Sequence, residues 1–319
     1  MSTRSTQIEV QVTCMRLEAE GVMSLELQAP DRSPLPSWTP GAHIDLVLPS
    51  ATVRQYSLCG DPQDSRRYRI AVLLEAAGRG GSREVHTALR VGQRLTIGGP
   101  RNAFELQAAD SYLFVAGGIG ITPLLPMIRQ AERSGAHWLL LYGGRARQSM
   151  AFVAELAAYG DDKVRILPAD EAGMLDLDAI VKLAASGMHT YSCGPAGLLN
   201  ALEARFAAEE LASRLHIERF AAAPPAANVQ AGELTVVLAR SGRELAIPAD
   251  KSILHALRDA GHCVPSSCEQ GVCGMCETRV LCGEPDHRDM LLTEQERASG
   301  KVMMLCVSRA RTPTLTLDL

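Results

Sequence analysis

This chain of 319 residues lacks the features that send a protein to nucleic acid, membrane or export. It has no basic excess: 32 Lys and Arg stand against 36 Asp and Glu, a formal charge of -4, whereas a general nucleic-acid binder needs a basic footprint. It also lacks an unbroken apolar run of membrane-spanning length. The two stretches free of Asp, Glu, Lys and Arg, 111–128 and 183–202, are interrupted by Gly117, Gly118, Gly120, Pro123 and Pro126 and by Gly187, Gly194, Pro195 and Gly197, as strands, glycine turns and helix starts would be. The opening MSTRSTQIEV has no apolar core of a secretory signal, there is no internal repeat, and nine cysteines cannot all pair. A reducing cytoplasm is the expected location, with neither a nucleic-acid nor a membrane partner.

What is present is punctuated order. A hydrophobic share of 46% with 21% charged residues is enough to bury cores and excludes a disordered chain, and the length suggests two or three domains. Up to about residue 108, short apolar runs alternate with Gly, Pro and Asp turns, which predicts an antiparallel β-barrel. From 109 to 222 apolar strands alternate with helices, the texture of an α/β parallel sheet. Residues 223–231, rich in Ala and Pro, read as a linker, and strands resume over 232–319.

Five of the nine cysteines fall in the last 52 residues. Cys268-x4-Cys273-x2-Cys276, with Cys306 thirty positions later, has the ligand spacing of a plant-type [2Fe-2S] cluster. Gly271 and Gly274 within the loop let backbone amides approach the sulfurs. A structural zinc site would bring a second short knuckle, and none is present. Cys282 and Cys263 are expected to be packed thiols. Two-histidine ligation of a Rieske centre has no candidate pair, so the chain is not expected to be a Rieske oxygenase itself.

Gly117-Gly118-Ile119-Gly120-Ile121-Thr122-Pro123 follows a strand and precedes a helix, where free amides and the positive helix end attract a phosphate. Thr122 is expected as the N-cap and Pro123 as the first helical residue. The third glycine of the ordinary dinucleotide fingerprint is missing. Tyr191-Ser192-Cys193-Gly194-Pro195 ends a later strand, at the edge where open parallel sheets bind ligands. In the barrel, Arg54-Gln55-Tyr56-Ser57 combines a cation, a ring and a hydroxyl, and strand alternation puts Arg54 and Tyr56 on one face, Gln55 and Ser57 on the other. Gly78-Arg79-Gly80-Gly81-Ser82 is a second possible phosphate cradle before a short helix, with Ser82 its expected N-cap.

Taken in order, these motifs resemble the phthalate dioxygenase reductase and vanillate demethylase reductase family over nearly the whole chain. The resemblance implies an FMN-binding β-barrel (1–108), an NAD-binding α/β domain (109–222), a linker (223–231) and a C-terminal β-grasp ferredoxin domain of α+β class (232–319). It implies that the chain is an NADH-dependent oxidoreductase moving hydride from NADH to FMN and single electrons through the [2Fe-2S] cluster to a terminal Rieske oxygenase or O-demethylase component. By motif, Arg54, Gln55, Tyr56 and Ser57 contact the flavin, Gly80, Gly81 and Ser82 its phosphate, and Gly118, Gly120 and Thr122 the dinucleotide. Cys193, Gly194 and Pro195 line the nicotinamide side, and Cys268, Cys273, Cys276 and Cys306 hold the metal. Ser57, Cys193 and Phe220, from Glu218-Arg219-Phe220 at the end of the middle domain, are the residues implied next to the reacting rings. Arg145 and Arg147 leave NADPH open beside NADH. The competing readings are a reductase of the same architecture for another one-electron acceptor, and a non-enzymatic redox carrier or sensor.

Overall fold

The computed structural model describes residues 7–76, 78, 80–220, 234–266, 268–271 and 274–319. The chain divides into two compact units, Met1–Glu218 and Arg219–Leu319. The expected linker at 223–231 lies outside the described residues.

The first unit contains two sheets. Strands β1 (Gln7–Ala19), β2 (Val22–Gln28), β3 (Ala42–Val47), β4 (Val53–Ser57), β5 (Tyr68–Leu73) and β6 (Arg94–Asn102) form an antiparallel sheet in the order β4-β3-β6-β1-β2-β5. A bridge between Leu58 and Ile70 brings the two edges together at one point and curls the sheet into a half-barrel. Its interior is filled by residues such as Val10, Leu25, Ile44, Leu46 and Ile97, the inward half of each alternating strand. Helix α1 (Gly81–Thr87) sits between β5 and β6.

The second sheet is parallel: β7 (Ser111–Gly117), β8 (His137–Gly144), β9 (Val164–Pro168), β10 (His189–Cys193) and β11 (Leu215–Glu218), in the order β11-β10-β7-β8-β9. Helices α2 (Ile121–Ser134), α3 (Val153–Ala157), α4 (Ala169–Ala172), α5 (Leu177–Ala185) and α6 (Ala196–Ala208) connect its strands. Strand alternation explains the unbroken apolar runs. Tyr112, Phe114 and Ala116 of β7 join one core with Trp138, Leu140 and Tyr142 of β8, while Leu113, Val115, Leu139 and Leu141 join another with Ile180 and Phe206. Both faces are covered, so both alternating sets must be apolar. The order reverses between β7 and β10, and the carboxyl ends of those two strands open the crevice in which such sheets bind ligands.

In the second unit, β12 (Leu234–Leu238), β13 (Arg243–Ile247), β14 (Glu277–Cys282), β16 (Val302–Met304) and β18 (Thr314–Leu317) form a mixed sheet in the order β13-β12-β18-β14-β16, with β15 (Pro285–Asp286) and β17 (Arg309–Ala310) as a separate pair. Helix α7 (Ile253–Asp259), capped by the Ser252 hydroxyl, sends Ile253, Leu254 and Leu257 into the core; α8 (Glu294–Ser299) opens with a Thr293–Glu296 capping box. No helix among the described residues is long and apolar enough to cross a membrane.

Two expected helix caps are corrected. The chain after β7 winds early into a 3-10 turn, Gly118–Gly120, so α2 has Gly120 as its N-cap. Thr122 therefore lies inside the first turn, its hydroxyl donating to the Ile119 carbonyl at 3.0 Å, and Pro123 is the third helical residue rather than the first. Gly80, at φ 86°, likewise caps α1 in place of Ser82; the Ser82 hydroxyl instead accepts the Glu75 N–H at 3.0 Å.

Candidate active site and metal centre

Two motifs meet at the reversal point of the parallel sheet. Because β7 and β10 are paired neighbours, the loops that follow them emerge side by side. A β-carbon on Gly117 would lie 2.6 Å from Pro195 Cδ, and one on Gly120 would lie 2.1 Å from the Cys193 carbonyl oxygen. Glycine at both positions lets the Gly117–Gly120 turn nest against Cys193, Gly194 and Pro195. Gly118 needs glycine for a different reason, its φ of +55°, and faces open space.

Register adds a third member. Cys193 pairs with Ala116 on one side and with Glu218 of β11 on the other. The Cys193 thiol is fully buried, and burial first, then the Glu218 carboxylate, pushes its pKa well up. It is therefore a neutral SH rather than a nucleophile. Burial raises Glu218 to about 8, against a smaller opposing effect of its hydrogen bond from Ser57. Ser57, at the end of β4 and buried, donates to Glu218 Oε2 at 3.5 Å, the long limit of a hydrogen bond. One barrel hydroxyl, one thiol and one proton-holding carboxyl thus converge from three strands. Sequence reading singled out Ser57 and Cys193 but passed over Glu218 in favour of Phe220, which falls in the second unit and is exposed. The signal for Glu218 was a carboxylate at the carboxyl end of a sheet strand.

The other face of β4 carries the remaining barrel motif. A β-carbon on Gly81 would lie 2.6 Å from Arg54 Nε, so the Arg54 side chain lies directly over the glycine loop and the two barrel motifs meet. Arg54 Nη1 also donates to the Val53 carbonyl at 2.8 Å. Tyr56 shares that face, and burial pushes its phenol up to about 12, so it stays protonated. Gln55 is on the Ser57 face, its amide donating to Asp45 Oδ1 at 3.0 Å; Asp45 in turn pairs with Arg101 at 2.8 Å. Arg79 lies outside the described residues. Of the two arginines after β8, Arg147 forms a two-contact pair with Glu171, at 3.2 and 2.8 Å, and Arg145 is exposed.

In the second unit Cys268, Cys276 and Cys306 are each less than a tenth exposed. Hydrogen bonds to Cys268 and Cys276 raise the Cys306 thiol, and the bond with Cys306 is what lowers Cys276, so Cys306 lies beside both other thiols. The Gln270 N–H donates to Cys268 Sγ at 3.3 Å, as amides do toward cluster ligands. Gly271, at φ 71°, passes so close to Val307 and Asp289 that a β-carbon would lie 2.6 Å from Val307 Cγ2. Cys273 lies outside the described residues. A set of converging, buried thiols on a glycine-bent loop fits a [2Fe-2S] cluster. Cys263 and Cys282, expected to be packed, are exposed: Cys263 lies in the loop after α7 and Cys282 at the outer end of β14.

Comparison with known proteins agrees with this layout. Family models match residues 114–204 as an oxidoreductase NAD-binding domain and 236–311 as a 2Fe-2S iron-sulfur cluster binding domain. The phenoxybenzoate dioxygenase subunit beta of Ectopseudomonas oleovorans is 46% identical over all of both chains. A vanillate O-demethylase oxidoreductase of a Pseudomonas strain is 42% identical over 98% of this chain and 100% of its own. The solved structure of a phthalate dioxygenase reductase, described as modular for electron transfer from pyridine nucleotides to [2Fe-2S], superposes with a TM-score of 0.76 at 36% identity, covering 98% of each chain. The chain belongs to the family of phthalate dioxygenase reductase and vanillate O-demethylase oxidoreductase, the oxidoreductases that serve oxygenase and demethylase systems.

Proposed function

We propose that this chain is the NADH-dependent reductase of a two-component, Rieske-type aromatic oxygenase or O-demethylase. In this reading its domains are 1–108, 109–222 and 232–319, and it works in the cytoplasm. The observation that carries the reading is the convergence of Ser57 with Cys193 and Glu218 at the sheet's reversal point. A barrel hydroxyl is thereby held against the crevice in which a nucleotide would lie.

FMN, when bound, accepts electrons in pairs and releases them singly. The chain's own residues hold and orient. Arg54, Gly80, Gly81 and Ser82 would take the FMN phosphate where the Arg54 side chain meets Gly81. Tyr56 would pack on the flavin, Gln55 would brace the strand through Asp45, and Ser57 would face the ring edge that reacts. Gly118, Gly120 and Thr122 shape the dinucleotide turn. Cys193, Gly194 and Pro195 would wall the nicotinamide, with the neutral Cys193 thiol offering bulk without charge, and Glu218 would hold a proton near neutral pH. Phe220 is carried as a flavin-site candidate on motif resemblance alone. The Glu171 carboxylate on Arg147 opposes reading of a 2'-phosphate, which favours NADH over NADPH. Cys268, Cys273, Cys276 and Cys306 would hold the cluster that hands electrons to the oxygenase.

Purified protein tests this directly. Iron, sulfide and FMN should be found at about two, two and one per chain, and NADH should drive cytochrome c reduction. A colourless protein, or one holding zinc in place of iron, would overturn the reading.

A further inference from the structure

The first unit contains a partly buried charge cluster outside the chemistry assigned so far. Arg129 lies on α2, the helix whose first turn follows the Gly117–Gly120 turn. Its guanidinium, 16% exposed, donates to two successive carbonyls, Cys59 at 3.0 Å and Gly60 at 2.6 Å, and also pairs with Glu155 of α3. Arg69 of β5 reaches the same point: its Nη2 donates to the Cys59 carbonyl at 3.0 Å and to Glu155 Oε2 at 3.0 Å, and its guanidinium lies 5.0 Å from the Phe152 ring centre. One turn further along α2, Arg133 donates to Asp61 from both terminal nitrogens, one contact at 2.9 Å. The segment gripped in this way, Cys59 to Asp61, begins two residues after Ser57.

We propose that Arg129, with Glu155 and Arg69, is a positioning residue for hydride transfer, fixing the end of β4 that carries Ser57 relative to the helix that carries the dinucleotide turn. The inference rests on the functional reading above, in which those two elements hold flavin and NADH. The helix is the rigid member. Its amino end is locked on the Cys193 backbone through Gly120, and its third turn, about 12 Å away at 1.5 Å per residue, is locked on Cys59 and Gly60. A planar guanidinium fork fixes direction as well as distance, which a point-charge ammonium does not. Gly60 belongs to the device, since a β-carbon there would come within 3.3 Å of Arg69. Hydride transfer is sensitive to such placement, where an error of about 1 Å can cost about a hundredfold in rate.

The test uses the FMN-loaded full chain and follows flavin bleaching by NADH in single turnovers. In Arg129→Met the limiting rate should fall at least about tenfold, while the NADH concentration giving half of that rate stays within about twofold, because Arg129 sits away from the assigned NADH residues. Electron passage from dithionite-reduced protein to cytochrome c should be unchanged. Arg129→Lys should recover part of the rate. Glu155→Gln, which keeps the shape and one acceptor, should show a smaller loss in the same direction, and is the variant to rely on if Arg129→Met loses FMN. Ile180→Val, in the core on the opposite side of the sheet, controls for loss of stability alone and should keep the parent rate. A parent rate in both Arg129→Met and Glu155→Gln, or an equal loss in Ile180→Val, overturns the clamp. Failure of the parent protein to bleach with NADH would instead sink the functional reading and the clamp with it.

Discussion

The backbone of Cys193 occupies the place where a side chain on Gly120 would have to be: a β-carbon there would stand 2.1 Å from the Cys193 carbonyl oxygen and 2.6 Å from the Gly194 nitrogen. The neighbours are backbone, so they cannot swing aside as a flexible side chain would. Gly120→Ala should cost about 1–3 kcal/mol of stability, read as a lower unfolding midpoint. It should slow NADH-driven flavin bleaching by about a hundredfold and leave the visible bands of the cluster in place. Stopped-flow reduction by NADH beside an absorption spectrum checks both halves.

At Gly81 the obstacle is the Arg54 side chain, 2.6 Å from the absent β-carbon. That chain can move, so Gly81→Ala should change the unfolding midpoint little. Displacing the guanidinium removes a charge-assisted contact of about 1.5–3 kcal/mol, so FMN affinity should fall at least about tenfold. Flavin titration of the stripped protein measures it.

Glu218 gives a pH dependence whose sign is fixed. Its folded pKa, about 8, lies above the ordinary value of 4.5, so between those values the folded state binds more protons than the unfolded one, and stability falls as pH rises. Glu218→Gln removes this dependence. The variant's gain in unfolding midpoint over the parent should be small at pH 4.5, grow up to about pH 8, and stay level above it. A gain that shrinks with rising pH would contradict the assigned burial of the carboxyl.

Cys306→Ser should remove the cluster bands and abolish delivery to one-electron protein acceptors, because a ligand of the cluster is lost. NADH-driven flavin bleaching should survive at a rate near the parent's, since the flavin and nucleotide residues all belong to the first unit except Phe220. Joint loss of both activities in a folded variant would argue against modular wiring.

Much of this was written locally. The spacing of Cys268, Cys273 and Cys276 is a property of one short loop, and the apolar runs of β7 and β8 announce strands buried on both faces because alternation leaves no polar side. The order of barrel, parallel sheet and cysteine loop follows from the same local texture. Helix starts were less legible. Thr122 and Ser82 look like caps by residue type, but Gly118 and Gly80 take positive φ angles and begin the winding earlier.

Tertiary structure alone decided which distant residues meet. Strand register put Glu218 beside Cys193 and within reach of Ser57, and a missing side chain let Arg54 lie over Gly81 and Gly120 sit on Cys193. The Arg129 fork on Cys59 and Gly60 is of the same kind. Each contact depends on the pairing of strands or the docking of a helix, which neighbouring residues do not encode. A motif fixes the chemistry a segment can offer, and packing fixes what that chemistry faces.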